Sequence, residues 1–147
     1  MKLTSPAFED QETMPAKYAK PAENINFPLS WENPPAGTKS FALSVVDLHP
    51  VARKFVHWMV VDIPADATSL DEAASGSSMP AGTKELKPYV GPNPPGGTHD
   101  YEVTLYALGS ETAGLSGKTT LDKFVETVEP QAIGKITLTG KYTKIKK

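Results

Sequence analysis

The sequence contains no cysteine, which excludes a disulfide framework and thiolate chemistry and fits a reducing compartment. It also lacks any apolar run long enough to cross a bilayer. Residues 1–24 carry Glu9, Asp10, Glu12 and Glu23 where a signal peptide would need an unbroken apolar stretch. A cytoplasmic protein without a transmembrane segment is the expectation. Charge of one sign is scarce as well: 15 Lys and Arg against 17 Asp and Glu leave a formal −2. No broad positive field arises to draw a phosphate backbone, so no nucleic-acid partner is expected. Lys141, Lys144, Lys146 and Lys147 make the last segment basic, and such a short run reads as a solvated tail. With no internal repeat or shift in composition, the 147 residues read as a single domain, 1–147, around one core.

What is present in quantity is proline and glycine, 14 and 11 residues. Both suit turns and sheet edges better than helix interiors, which tilts the fold toward β structure. Residues 40–47 place Phe41, Leu43, Val45 and Asp47 on one parity, the alternation of a half-buried strand. Residues 56–63 are apolar on both parities, with Val56, Trp58 and Val60 on one face and Met59, Val61 and Ile63 on the other. That pattern belongs to a strand covered on both sides. Residues 101–108 alternate again, and Ile136, Leu138 and Tyr142 mark a last strand. One helix is expected over 120–128, where Leu121, Phe124, Val125 and Val128 fall at i, i+3, i+4 and i+7 behind a threonine cap, with Pro130 just beyond. Residues 33–38, 73–83 and 91–98 read as turns, the last holding three prolines and three glycines.

Asp47 ends one strand and His57 begins the next. If the two strands are antiparallel neighbours, both side chains share a rim of the sheet, where carboxylate and imidazole meet. His99 precedes Tyr101 by two residues, so the pair shares a face if the third strand starts early enough. The run upstream of His99 offers a stiff wall, poor in side chains, whose backbone N–H groups could face an anion while imidazoles add charge-assisted hydrogen bonds. Phosphate or a phosphomonoester would suit such a pocket. Taken singly, a strand-end histidine or aspartate serves equally well as a structural hydrogen-bonding group.

The order of segments resembles the phosphatidylethanolamine-binding proteins, the Raf kinase inhibitor protein-like family, and their short bacterial and archaeal members above all. Asn24-Ile25-Asn26-Phe27-Pro28-Leu29-Ser30-Trp31 is similar to an early family segment, and Gly37-Thr38-Lys39-Ser40-Phe41-Ala42-Leu43 follows. Phe55-Val56-His57-Trp58, Ile63-Pro64-Ala65, Tyr89-Val90-Gly91-Pro92-Asn93-Pro94-Pro95 and His99-Asp100-Tyr101 complete the series. The resemblance implies an antiparallel β-sandwich with one or two peripheral helices. It also implies a pocket for phosphate-like anions or phospholipid head groups, no cofactor, and no accepted catalytic reaction. Carried over residue by residue, Asp47 corresponds to the first aspartate of the family's Asp-Pro-Asp-Ala-Pro motif, and His57 and His99 to its two pocket histidines. Tyr101, Gly91, Pro94 and Pro95 fall at wall positions. Kinase or protease partners and a homodimer are compatible with the resemblance.

Two departures stand out. The motif reads Asp47-Leu48-His49-Pro50-Val51, with His49 in place of the second aspartate, and Asp100 stands where an arginine is usual. Losing a carboxylate at the rim leads to the expectation of equal or better anion affinity below the His49 pKa, about 6.5 when unperturbed. Three alternatives remain at this level. One is a metal site or an acid–base hydrolase built from Asp47, His57 and His99, although no G-x-S-x-G or HExxH signature occurs. The second is a phosphate loop over 114–119, where Thr112 occupies the position that requires glycine. The third is a protein-interaction module with a vestigial pocket.

Overall fold

The structure, a computed structural model, describes residues 1–144; Lys146 and Lys147 of the basic tail lie outside the described residues. Eight strands and one α-helix follow one another: β1 (Lys2–Thr4), β2 (Leu29–Glu32), β3 (Ser40–Asp47), β4 (Val56–Pro64), β5 (Ser69–Leu70), β6 (Lys84–Lys87), β7 (Thr98–Leu108), α1 (Leu121–Val128) and β8 (Ala132–Thr143). They form a five-stranded sheet in the order β6-β4-β3-β7-β8 and a three-stranded sheet in the order β1-β2-β5, both antiparallel. The fold is thus mainly β, a sandwich with one short helix, as the sequence suggests.

The centre of the large sheet is buried on both faces, while β8 and β6 at its edges are partly exposed. Phe41, Leu43, Val45, Trp58, Val60, Tyr101, Val103, Leu105 and Leu138 pack toward the small sheet with Leu3, Leu29 and Trp31. Ala42, Met59, Val61, Tyr106 and Leu108 pack on the other side against Phe124 and Val128 of α1. Every residue of β3 is buried, so the half-buried reading of 40–47 is corrected: its small second parity, Ala42 and Ser44, lies beneath covering structure. Thr120 caps α1 through its hydroxyl, which accepts from Lys123 N at 3.1 Å. Phe124 and Val128 are fully buried while Val125 stays exposed, so the apolar stripe of the helix is narrower than its spacing indicates. Burying two such side chains contributes about 1.5–3 kcal/mol each.

Strand β4 carries two irregularities. Val45 pairs Trp58 but Val46 pairs Val56, leaving His57 as an extra residue. Phe41 pairs Ile63 but Leu43 pairs Val60, so a second extra residue falls at 61–62, where Asp62 has φ +59°. Each slip exchanges the faces of the strand. Val56 therefore joins the helix side and Ile63 the small-sheet side, the reverse of their positions in a strictly alternating strand.

Candidate functional site

The pocket lies at the end of the large sheet where β3 stops and β4 and β7 begin. Asp47 pairs Tyr101 across the β3–β7 ladder, which makes His99, two residues earlier on β7, its diagonal neighbour on the same face. β7 starts at Thr98, early enough for His99 and Tyr101 to share parity. The result is a buried pair, His99 Nδ1 to Asp47 Oδ2 at 2.6 Å, with the two side chains 1% and 5% exposed. The other carboxylate oxygen accepts from His49 N at 2.8 Å. The imidazole that meets Asp47 is therefore His99, whereas the sequence pairs Asp47 with His57.

His57 is the extra residue of the first β4 slip, and its ring takes a different anchor, Nδ1 to Val90 O at 2.6 Å. Because a carbonyl only accepts, the proton resides on Nδ1 and Nε2 carries a lone pair. Burial lowers the His57 pKa, helped by the Lys87 charge and opposed by the Val90 carbonyl and Asp47, so the ring is neutral at pH 7. Its edge packs on Tyr101, centroids 5.0 Å apart.

A cavity of about 270 Å³ is lined by Lys20, Asp47, Val51, Ala52, Phe55, His57, Val90, Gly91, Asn93, Pro94, Pro95 and His99. Asp47, His57, His99, Gly91, Pro94 and Pro95 thus come together around one space. Tyr101 lies behind them, buried, its hydroxyl pKa pushed up by burial and by the Asp47 charge. Among the described residues three buried side-chain atoms have no hydrogen-bond partner, and two of them, His99 Nε2 and Tyr101 OH, are here. The third is Thr83 Oγ1, in the connection between β5 and β6.

The proline-rich wall works differently from the expected row of backbone donors. Val90 N is bonded to His57 O at 2.8 Å and Gly91 N to Asn24 Oδ1 at 2.7 Å, while Pro92, Pro94 and Pro95 have no N–H. The wall thus supplies shape and apolar surface at Val90, Gly91 and its prolines, and the backbone N–H groups of Asn93, Gly96 and Gly97 are the ones left for the expected donor role. Gly91 is required by packing: a Cβ there would stand 2.0 Å from Tyr18 O and 2.7 Å from Lys20 N. This contact, with Lys20 N to Pro92 O at 2.9 Å, locks residues 18–20 against the wall and delivers Lys20 to the cavity.

Lys20, Val51, Ala52, Phe55, Val90 and Asn93 are the lining residues that sequence reasoning does not assign to the site, the last two although they stand in the quoted motif. Lys20 lies in an aperiodic stretch and reaches the site only through a contact with Gly91, so no local pattern could single it out. Val51 and Phe55 belong to the 48–55 connection, whose 3-10 turn Pro50–Ala52 begins with His49 Nδ1 accepting from Val51 N at 3.1 Å. His49 itself stacks on His99, centroids 4.0 Å apart and planes 6° from parallel. It is not a lining residue, so its effect on an anion would pass through His99.

The alternative chemistries find less in this geometry. Among the described residues no group of three His, Cys, Asp or Glu side chains is placed to hold a metal ion, so Asp47, His57 and His99 do not form a ligand set. In the proposed phosphate loop, Thr112 Oγ1 instead donates to Asp62 Oδ2 at 3.1 Å.

Comparison with known proteins agrees with this architecture. The family model described as phosphatidylethanolamine-binding protein matches residues 4–143. A UPF0098 protein of Methanothermobacter thermautotrophicus is 32% identical over 151 residues, covering 98% of this chain and 99% of the relative. A longer UPF0098 protein of Mycobacterium tuberculosis is 36% identical over 78% of this chain, which spans 58% of it. Among solved structures, Escherichia coli YbcL, described as a new member of the mammalian PEBP family, superposes with a TM-score of 0.90 at 25% identity, over 98% of each chain.

Proposed function

The chain belongs to the phosphatidylethanolamine-binding protein family, and from that premise we propose that its pocket binds a small anion bearing a phosphate group. The observation that carries this reading is His99, a residue of the cavity lining whose ring is fixed through Nδ1 by Asp47 while Nε2 is buried without a partner. A buried polar atom left unsatisfied costs about 1–3 kcal/mol, and a phosphate satisfies it in either protonation state. A neutral ring accepts from the hydroxyl of a monoprotonated phosphate, and a ring with both protons donates to an anionic oxygen. His57 Nε2 adds a second acceptor and Lys20 an ammonium.

We read the site as one that binds rather than reacts: among the described residues its lining offers no serine, threonine or cysteine, and the Asp47 carboxylate is held on both oxygens. A protein-interaction role is the second reading, favoured by the exposed Leu48, Val51 and Phe55 in one connection at the mouth. Titration with inorganic phosphate, followed by the imidazole NMR signals of His49, His57 and His99, separates the two. Saturable shifts at His57 and His99 that vanish in a folded His99→Ala variant support the anion pocket. Signals that stay still at millimolar phosphate move the weight to a protein partner.

A further inference from the structure

The polar groups of the pocket are unequal in a way that bears on what the phosphate can carry. Asp47 is the one carboxylate among the lining residues, and both of its oxygens are already engaged, Oδ1 by His49 N and Oδ2 by His99 Nδ1. The position where the family motif has a second aspartate is filled by His49, so no carboxylate is left to meet a cation on the ligand. Lys20, exposed on the lining, forms no ion pair among the described residues.

An aromatic face is the other device that receives an ammonium group. Phe55 is the aromatic ring at the mouth other than the histidines, 45% exposed. Lys87 Nζ already stands 3.9 Å from its centroid. A ligand ammonium would therefore arrive beside two lysines, with neutral side-chain acceptors alone, the Asn93 amide and the His57 Nε2 lone pair, to meet it. The rest of the lining is apolar: Val51, Ala52, Val90, Pro94 and Pro95 surround the polar end, and Val51 is 58% exposed where the cavity opens.

Resting on the anion-pocket reading, we propose that this site takes a phosphomonoester with an apolar substituent and discriminates against phosphates that carry an ammonium, such as phosphoethanolamine and phosphocholine. The phosphate sits among His99, His57 and Lys20, and the substituent leaves along Val51 and Phe55. A volume of about 270 Å³ lies at the small end of ligand sites. It fits an aryl or short alkyl phosphate whole, or the phosphomonoester head of a phosphatidate-type lipid with its tails outside. The chemistry is shared by the two sources.

Calorimetric titration of the intact protein with inorganic phosphate, phenyl phosphate and O-phosphorylethanolamine tests this directly. Phenyl phosphate is expected to bind at least tenfold more tightly than O-phosphorylethanolamine, Phe55→Ala to reduce the ratio of phenyl phosphate to inorganic phosphate affinity, and Lys20→Gln to weaken all three. Equal or tighter binding of O-phosphorylethanolamine overturns the proposal while leaving the anion pocket standing. Failure of inorganic phosphate and phenyl phosphate alike overturns both. Sedimentation with phosphatidate-containing and phosphatidylethanolamine-containing vesicles then separates the sources. Selective capture by the phosphatidate vesicles assigns the lipid head, phenyl phosphate binding without vesicle capture assigns a soluble ester, and preference for phosphatidylethanolamine vesicles refutes the selectivity.

Discussion

The two places where β4 slips against β3 lie toward opposite ends of the same strand pair, and the chain finishes them in opposite ways. At the Asp62 slip the carboxylate is filled from within: Oδ1 accepts from Ala113 N at 2.8 Å, Oδ2 accepts from Thr112 Oγ1 at 3.1 Å, and Lys84 Nζ stands 3.4 Å from Oδ2. The connection after β7 is thereby pinned across the sheet end. Ser40 Oγ donating to Ser110 O at 2.6 Å does the same one strand away. At the His57 slip, Asp47 likewise engages both oxygens, but the imidazole it holds belongs to the cavity lining and keeps a buried, unpartnered Nε2, with Tyr101 OH unpartnered behind. An extra residue in a strand can re-aim a side chain. Here one instance closes a sheet end and the other borders a cavity.

The largest expected effect comes from the wall that keeps the second end open. Gly91→Ala drives a methyl group into the Tyr18 carbonyl and the Lys20 amide, both backbone, at 2.0 and 2.7 Å. The loss should reach about 3 kcal/mol or more, the upper range for overpacking, and chemical denaturation would measure it. Gly96, five residues on in the same connection, has nothing within 4 Å of the corresponding position, and Gly96→Ala should stay within about 0.5 kcal/mol. Equal losses at the two glycines would mean that the Tyr18–Gly91 contact does not hold the wall in place.

The two aspartates come next. Asp47→Ala leaves a buried imidazole and His49 N without their acceptor, for a cost of about 3 kcal/mol, and should weaken phosphate binding tenfold or more. Asp62→Ala removes two acceptor contacts and puts alanine at φ +59°, for about 2 kcal/mol. Phosphate affinity at the far end should then change by less than twofold. Matched stability and phosphate titrations on both variants decide the matter. A drop in phosphate affinity with Asp62→Ala would show that the two ends are coupled and the comparison too sharp.

The same slips mark where the sequence stops being legible. β3, the core of β7 and α1 could be read because alternation or a capped 3.6-residue stripe runs unbroken through them, and Asp47 and His99 followed from their places at strand ends. Strict alternation misplaced Val56 and Ile63, since an inserted residue leaves composition untouched while exchanging the faces beyond it. β1, β2, β5 and β6 span two to four residues each, too few for a period to show. β8 is legible only from Ile136, because Gly134 interrupts its alternation. In the site, Gly91, Pro94, Pro95 and His57 were legible as a motif. Lys20 was not, because only tertiary packing against Gly91 carries it there.

The smallest effect concerns His57, and its sign follows from burial. The unfolded chain takes a proton on this ring near pH 6.5, whereas in the folded chain burial foremost lowers the pKa. As the pH falls below about 6.5, the unfolded state binds a proton that the folded state refuses, so stability declines until the folded pKa is reached. At pH 7.5 the ring is neutral in both states and contributes no such slope. His57→Gln retains an N–H for Val90 O but cannot titrate, so its melting temperature should fall less than that of the parent between pH 7.5 and 5.5. Subtracting one profile from the other removes the contributions of His49, His99 and the carboxylates. A difference profile that is flat would mean that His57 takes its proton as readily inside the fold as outside. The pocket end would then be open to water rather than held dry for a ligand, and the contrast with the Asp62 end would rest on His99 alone.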